Sequence, residues 1–304
     1  MTEVVLRTRQ LTKRFGRVLA VERLDLEVYR GQVFGFIGPN GAGKTTTIGM
    51  LVGLLTPSSG TIELLGMDRE SDLAQARQRI GALVERGGFL PYLTGYENLE
   101  VMARTVGIST AWRVTDALDL VRLTSKARIK YGTYSQGMRR RLELAASLLR
   151  DPDLLILDEP LNGLDPQGMH QVRQLLAQLA ASGKAVFLSS HWLHDVEQIC
   201  HRVAIINQGQ VVRMGELAAL MRDNRYIRLR IADPESCAAI LREVNWIDRV
   251  EVTDEWLMVY APVERSAEVS AVLAQYGHYP AELLIVGMTL EDYFISVTKG
   301  QTDV

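Results

Sequence analysis

Residues 33–50 read VFGFIGPNGAGKTTTIGM, and this stretch decides the fold. VFGFI is a short apolar run typical of a buried β-strand, and the stretch after Lys44 predicts a helix that ends near Leu55. Between them, GPNGAGKT at residues 38–45 matches the pattern G-x-x-x-x-G-K-[ST]. A glycine-rich loop between a strand and a helix predicts a phosphate site, because glycines let backbone N–H groups surround phosphate oxygens at a helix N-terminus. We call residues 38–45 the phosphate loop.

The phosphate loop also predicts which side chains meet a nucleotide. Lys44 is expected to contact the β- and γ-phosphates, and the Thr45 hydroxyl is expected to bind Mg²⁺. The predicted nucleotide-binding residues of this region are Gly38, Asn40, Gly41, Gly43, Lys44, Thr45 and Thr46.

A second apolar strand, at residues 153–160, carries two acids near its end. Asp158 is placed to complete the Mg²⁺ shell together with Thr45. Glu159 follows directly and is the natural general base, because a carboxylate beside the γ-phosphate can polarise the attacking water. Two acids can also simply cap a strand end, but the phosphate loop upstream favours the catalytic interpretation.

The surrounding pattern predicts an α/β fold. The first 30 residues alternate apolar and polar positions, which predicts antiparallel strands. Residues 86–150 are mostly helical in pattern, and Thr94 and Glu97 have the spacing of a capping box that starts a helix. Strands and helices then alternate up to residue 224, which predicts a largely parallel sheet covered by helices.

The chain changes character after residue 224. Residues 225–304 show a β-α-β-β-α-β order, which predicts a small ferredoxin-like α+β domain followed by a final helix. We therefore expect a nucleotide-binding domain at residues 1–224 and an accessory, regulatory or dimerisation domain at residues 225–304.

Composition limits the possible partners and location. Lys plus Arg (34) nearly balance Asp plus Glu (36), so the net charge of −2 gives no overall attraction to nucleic acid. The run Arg139-Arg140-Arg141 lacks interleaved aromatic residues and is typical of a solvated helix face, so no nucleic-acid partner is expected.

The longest apolar run has eight residues, at 48–55, whereas a membrane-spanning helix needs about 20. The N-terminus does not resemble a signal peptide, and Cys200 and Cys237 lack metal-ligand spacing, as expected for the cytosol.

Further segments make the chain similar to the ATP-binding cassette (ABC) ATPases. Residues 134–138, YSQGM, resemble the family's LSGGQ signature at Ser135 and Gly137 and depart from it elsewhere. Residues 161–165, LNGLD, resemble the D-loop, and residues 189–191, SSH, resemble the switch region. The resemblance implies a P-loop NTPase cassette with an antiparallel β subdomain and a helical subdomain at about residues 86–150.

The resemblance also assigns roles to single residues. Phe15 occupies the position of the aromatic that stacks on adenine, and His191 takes the place of the switch histidine. Cassettes of this family form head-to-tail dimers, so Ser135 and Gly137 are expected to meet the γ-phosphate of ATP bound to a second copy. Asp165 of the D-loop is expected beside the same nucleotide.

One position departs from the family in an important way. Where the family has a glutamine that reaches the metal and the nucleophilic water, this chain has Glu85. Glutamate still offers oxygen ligands to Mg²⁺ but adds negative charge near the γ-phosphate. We expect Glu85 to act at the catalytic and metal site, and residues 86–99 beside it to dock a membrane partner.

The full length of the chain is similar to ATP-binding subunits of bacitracin- and daunorubicin-type drug exporters. This resemblance implies an ATPase that drives a separate integral membrane permease at the cytoplasmic face of the membrane, and it implies a homodimer. The alternative is a soluble ABC protein that acts on ribosomes or DNA. Translation-associated members carry tandem cassettes and repair members carry long coiled coils, whereas this chain has one phosphate loop and no sustained heptads. A catalytically silent regulator is disfavoured because Lys44, Asp158, Glu159 and His191 are all present.

Overall fold

The computed structural model describes residues 3–84, 88–108, 111–222, 225–253, 255–287 and 289–299. The chain divides into two compact units, Met1–Glu216 and Leu217–Val304. The functional boundary between residues 224 and 225 stays a prediction.

The first unit contains nine strands and seven α-helices among its described residues. In chain order they are β1 (Val4–Phe15), β2 (Val18–Tyr29), β3 (Val33–Ile37), α1 (Lys44–Leu51), β4 (Ser59–Leu64), α2 (Glu70–Arg77), β5 (Ile80–Leu83), α3 (Gly95–Thr105), α4 (Ala111–Leu120), α5 (Gln136–Leu148), β6 (Leu154–Leu157), α6 (Pro166–Ala181), β7 (Ala185–Ser190), α7 (Leu193–Ile199), β8 (Arg202–Asn207) and β9 (Gln210–Glu216).

The first unit is built on two sheets. Strands β2, β1 and β4 form an antiparallel sheet in that order, which confirms the predicted antiparallel start of the chain. Arg7 on the central strand bonds Glu27 at 2.8 Å and Glu63 at 3.0 Å, so each neighbouring strand supplies an opposite charge.

The second sheet positions the site. Its order is β5-β6-β7-β3-β8-β9. The first five strands in this order are parallel, and β9 is antiparallel to β8 at one edge. All residues of β3, β6 and β7 are buried, as expected for central strands covered on both faces. Because β6, β7 and β3 are neighbours and parallel, the segments that follow them meet at one edge. These segments are residues 158–159, residues 191–192 and the phosphate loop.

Two predicted helix details have different outcomes. The capping box is confirmed: Thr94 Oγ1 accepts from the Glu97 N–H at 3.2 Å, and the Glu97 carboxylate accepts from the Thr94 N–H at 2.7 Å. The expected end of the first helix near Leu55 is wrong, because α1 ends at Leu51. Gly53 has a φ of 82°, a left-handed conformation that turns the chain away from the helix axis.

The second unit combines helices with one antiparallel sheet. Its described elements are α8 (Leu217–Arg222), β10 (Arg225–Arg230), α9 (Pro234–Arg242), β11 (Arg249–Thr253), β12 (Trp256–Tyr260), α10 (Ser266–Gln275), β13 (Glu282–Gly287) and α11 (Leu290–Lys299). The strand order is β11-β12-β10-β13, and residues such as Leu229, Leu241 and Leu273 form its core. The ferredoxin-like description of this unit stays a prediction.

None of the helices in the described ranges has both the length and the apolar content that a membrane crossing requires.

Candidate nucleotide-binding and catalytic site

The phosphate loop is shaped by glycines that no other residue can replace without strain. Gly41 and Gly43 have φ of 80° and 105°. A Cβ at Gly38 would lie 2.3 Å from the Ile206 carbonyl oxygen, and one at Gly43 would lie 2.6 Å from the Ala20 carbonyl oxygen. The loop therefore needs glycine both for its left-handed turns and for its close approach to neighbouring backbone.

The N-terminus of α1 is suited to an anion. Gly43 is its N-cap and supplies no side-chain hydrogen bond to the first turn. The first backbone N–H groups of a helix have no partner within the helix, and the helix dipole adds positive potential at that end. Asn40 and Gly41 are exposed in front of this end, with Thr45 exposed in the first turn, so a phosphate can reach the free N–H groups. This geometry fits the predicted nucleotide site.

Lys44 connects the phosphate loop to the acids after β6. Its side chain is 7% exposed, and its ammonium donates to the Gly38 carbonyl at 2.7 Å and to the Pro39 carbonyl at 3.2 Å. The same nitrogen lies 3.6 Å from Glu159 Oε1. The structure therefore places a cation between the loop and the predicted general base.

Asp158 is held by two hydroxyl groups. Thr45 Oγ1 donates to Asp158 Oδ2 at 2.9 Å, and Ser189 at the end of β7 donates to Oδ1. Two of the three residues predicted to bind Mg²⁺, Thr45 and Asp158, are thus in contact, with oxygen atoms of the kind that this ion prefers.

Glu159 has an unusual backbone conformation. Its φ of 48° is left-handed, which is uncommon for a residue with a Cβ. Its N–H donates to Ser189 Oγ at 2.9 Å, and its Oε2 lies 3.0 Å from His191 Nδ1. The Glu159 carboxylate thus lies between Lys44 and His191, at the edge of the sheet where the phosphate loop begins.

The donor set fits a magnesium ion that a nucleotide shares. Within the described ranges, no group of three or more His, Cys, Asp or Glu side chains could hold a metal by itself. Mg²⁺ is commonly held by one or two carboxylates together with substrate phosphates and waters, rather than by a complete protein cage. Thr45 and Asp158 supply one hydroxyl and one carboxylate, which fits this mode of binding.

Arg140 was not expected in this site. The sequence predicts a solvated face for residues 139–141, and this is wrong for Arg140, whose side chain is 12% exposed. Its guanidinium donates to the Asp158 carbonyl oxygen and, at 2.7 Å, to the Glu159 carbonyl oxygen. The acids after β6 are therefore anchored to α5. Arg139 is exposed, as expected.

The signature and D-loop residues start two helices. Ser135 is the N-cap of α5 and accepts from the Met138 N–H at 3.2 Å. Asp165 is the N-cap of α6 and accepts from the Gly168 N–H at 3.1 Å, with Pro166 in the first turn. Ser135 is exposed, and Gly137 is half-buried near Gly163 and Leu164. Their predicted contact with a second copy stays a prediction.

Phe15 and Glu85 complete the predicted set. Phe15 ends β1 with 47% of its surface exposed, and the Lys13 ammonium lies 5.0 Å from its ring centre. The ring is therefore available for stacking. Glu85 and the first two residues of the predicted docking segment, 86 and 87, lie outside the described residues.

Ser189 and Arg140 are the two functional side chains whose roles the sequence did not reveal. Ser189 lies in the segment that resembles the switch region, but nothing in its spacing predicts a bond to Asp158. Arg140 lies on the first two turns of α5, and its role depends on how that helix packs against the end of β6.

Comparisons with known proteins agree with this geometry. A family model described as ABC transporter matches residues 21–162. A bacitracin transport ATP-binding protein of Enterococcus faecalis is 34% identical over 98% of this chain and 97% of its own length. Nod factor export ATP-binding protein I of Burkholderia pseudomallei is 38% identical over 95% of each chain. A solved ATP-binding subunit of an ABC transporter is 29% identical with a TM-score of 0.65, and the match covers 72% of this chain and 92% of that one.

Proposed function

Because this chain belongs to the ABC transporter family as an ATP-binding, ATP-hydrolysing subunit, we propose that it powers export through a separate membrane permease. The cargo we propose is an antibiotic, another drug or a related amphiphile. The proposal draws on full-length similarity to relatives named for bacitracin transport and Nod factor export. These relatives therefore support the exporter function that the sequence resemblance implies.

The observation that carries the chemistry is the position of Glu159. Its carboxylate lies 3.6 Å from the Lys44 ammonium and 3.0 Å from His191 Nδ1, at the end of β6. Glu159 takes a proton from the water that attacks the γ-phosphate, and Lys44 with the N-terminus of α1 binds the phosphate oxygens. His191 holds the Glu159 carboxylate in place.

Thr45 and Asp158 are the residues that hold Mg²⁺. When bound, Mg²⁺ supplies positive charge that neutralises the β- and γ-phosphates. Ser189 fixes Asp158 through one carboxylate oxygen, and Thr45 bonds the other. Glu85 is proposed as a further ligand and catalytic group from the sequence alone.

We further propose that two copies act together. Phe15 stacks on adenine, and Ser135, Gly137 and Asp165 contact the ATP of the partner subunit. The exposed hydroxyl of Ser135 at the N-cap of α5 supports this assignment, because a helix N-terminus attracts phosphate. Closure on ATP and opening after hydrolysis shift the permease between conformations, since each state of the dimer favours a different one.

The proposed permease partner determines where in the cell the chain is expected to act. Residues 86–99 dock the permease at the cytoplasmic face of the membrane, and no nucleic acid is bound. Residues 225–304 form an accessory domain that regulates or stabilises the dimer.

Co-purification tests the transport partner. The tagged full-length chain with Glu159→Gln is captured from detergent-solubilised membranes in the presence of Mg-ATP, because a variant that retains ATP favours the closed dimer. A Lys44→Ala chain serves as the matched control that binds ATP poorly. Recovery of a multi-span membrane protein supports the proposal, whereas recovery of ribosomes or DNA would overturn it and support the alternative function.

A further inference from the structure

Arg140 connects the helix that begins at the signature segment with the two catalytic acids. It lies on α5, whose N-cap is Ser135. One guanidinium nitrogen, Nη2, donates to the carbonyl oxygens of both Asp158 and Glu159. A single planar group therefore bonds two consecutive peptide units at the end of β6.

The same peptide units carry the strained residue of the site. Glu159 has a φ of 48°, and a left-handed conformation is unfavourable for a residue with a Cβ unless the surroundings fix it. Its N–H donates to Ser189 Oγ at 2.9 Å, and its carbonyl accepts from the Asn162 N–H at 3.1 Å and from Arg140 at 2.7 Å. Arg140 supplies the one charged donor among these three contacts, and charge-assisted hydrogen bonds are the stronger kind.

Glu143 makes the buried arginine possible. Arg140 Nη1 lies 2.8 Å from Glu143 Oε2, and the two side chains are 12% and 10% exposed. Both line a cleft of about 450 Å³ together with Tyr131, Gln136 and Asn162. A buried ion pair gives little net stability, because desolvation offsets the attraction between the charges. The buried pair is therefore better explained by the bonds of Arg140 to the Asp158 and Glu159 carbonyl groups than by a contribution of the pair to stability.

We propose that Arg140 is a positioning residue for ATP hydrolysis. By bonding both carbonyl groups it keeps Glu159 in its left-handed conformation, with the carboxylate directed toward Lys44 and His191. It also ties the catalytic turn rigidly to the helix that begins at Ser135. This inference rests on the proposed role of Glu159 as the general base.

The test replaces the pair together. Arg140→Met alone would leave Glu143 buried beside no cation and would destabilise the fold, so the variant is Arg140→Met with Glu143→Leu. Arg139→Met on the same helix is the matched control, because Arg139 is exposed. Single-turnover hydrolysis and ATP binding are measured on the full-length chain with Mg-ATP.

We expect the double variant to lower the hydrolysis rate about 10- to 100-fold, because small displacements of a catalytic group have effects of that size. ATP affinity should stay within about threefold, since the hydrogen bonds of Arg140 go to Glu143 and to the carbonyl groups of Asp158 and Glu159, outside the phosphate loop. The Arg139→Met control should stay within about twofold of the unmodified chain. A normal rate in the double variant would overturn the proposal, as would a parallel loss of ATP affinity.

A second measurement separates positioning from general damage. The double change is made both in the unmodified chain and in Glu159→Gln, and the fold loss of hydrolysis that it causes is compared between the two. A residue that acts through Glu159 should have less than about a twofold effect once that carboxylate is gone, because the two changes then remove the same function. An equal loss in both backgrounds would contradict the proposal. Near-normal hydrolysis in Glu159→Gln itself would instead remove Glu159 from the base role, which is a failure of the proposed function.

Discussion

Ser189 is the side chain whose removal should reveal most about how the site is held together. It is fully buried at the end of β7. Its hydroxyl donates to Asp158 Oδ1 and accepts from the Glu159 N–H at 2.9 Å. Ser189→Ala removes one oxygen, and with it both contacts, while the rest of the side chain is unchanged.

The magnitude follows from these two contacts. A hydrogen bond to a charged group contributes about 1.5–3 kcal/mol, and a buried N–H left without a partner costs about 1–3 kcal/mol. The contacts share one oxygen and do not add fully, so we expect the free energy of unfolding to fall by roughly 2–4 kcal/mol. Hydrolysis should also slow, because both Asp158 and the backbone of Glu159 lose a contact.

The assay is urea unfolding of the full-length chain, in which a shifted midpoint at constant slope reports a change in stability. Ser190→Ala is the matched control: Ser190 is also buried, but its hydroxyl bonds the neutral backbone of Trp192, at 2.9 Å to the N–H and 3.3 Å to the carbonyl oxygen, and such contacts contribute less than a bond to a carboxylate. The reasoning is refuted if Ser189→Ala destabilises the chain no more than Ser190→Ala does.

Three further predictions concern other parts of the chain. Phe15→Ala should weaken ATP binding about 10-fold while Phe15→Tyr stays near normal, because base stacking on an aromatic ring contributes about 1–3 kcal/mol; equal affinities by calorimetry would disprove the stacking role. Burial raises the pKa of Asp153, but hydrogen bonds from Arg30 and Arg79 outweigh it and hold that pKa below its usual value. A carboxylate with a lowered pKa stabilises the fold at pH values above its pKa in the unfolded chain, and this contribution is lost as the pH falls through its pKa in the folded chain. Between pH 7 and pH 3, the free energy of unfolding should therefore fall less in Asp153→Asn than in the unmodified chain. Glu85→Gln should preserve ATP turnover, and abolished hydrolysis with ATP binding intact would show that position 85 does not correspond to the family's glutamine.

Much of the fold could be predicted because its signals are local. The apolar run of β3 and the capping box at Thr94 each act within a few residues, and the structure has both. The sequence predicts too late an end for α1, because apolar residues continue to Leu55 while Gly53 turns the backbone. Periodicity shows which positions are apolar, and a left-handed glycine can end a helix within such a run.

The site could be predicted where its residues follow parallel strands. Lys44, Asp158 and His191 come after β3, β6 and β7, and parallel strands bring such ends to one edge of a sheet. Arg140 could not be predicted in this way, because its position depends on the packing of α5 against that edge. A run of three arginines has the same appearance in sequence whether its middle member faces water or two backbone carbonyls.

The most direct measurement compares ATP binding and hydrolysis in Glu159→Gln with those of the unmodified chain. The account predicts that the variant binds Mg-ATP with nearly unchanged affinity, because Lys44 and the N-terminus of α1 hold the phosphates. It also predicts that hydrolysis falls at least about 100-fold, since an amide cannot take the proton from the attacking water. Turnover close to that of the unmodified chain would contradict the assignment of Glu159 as the base, and with it the account of this site.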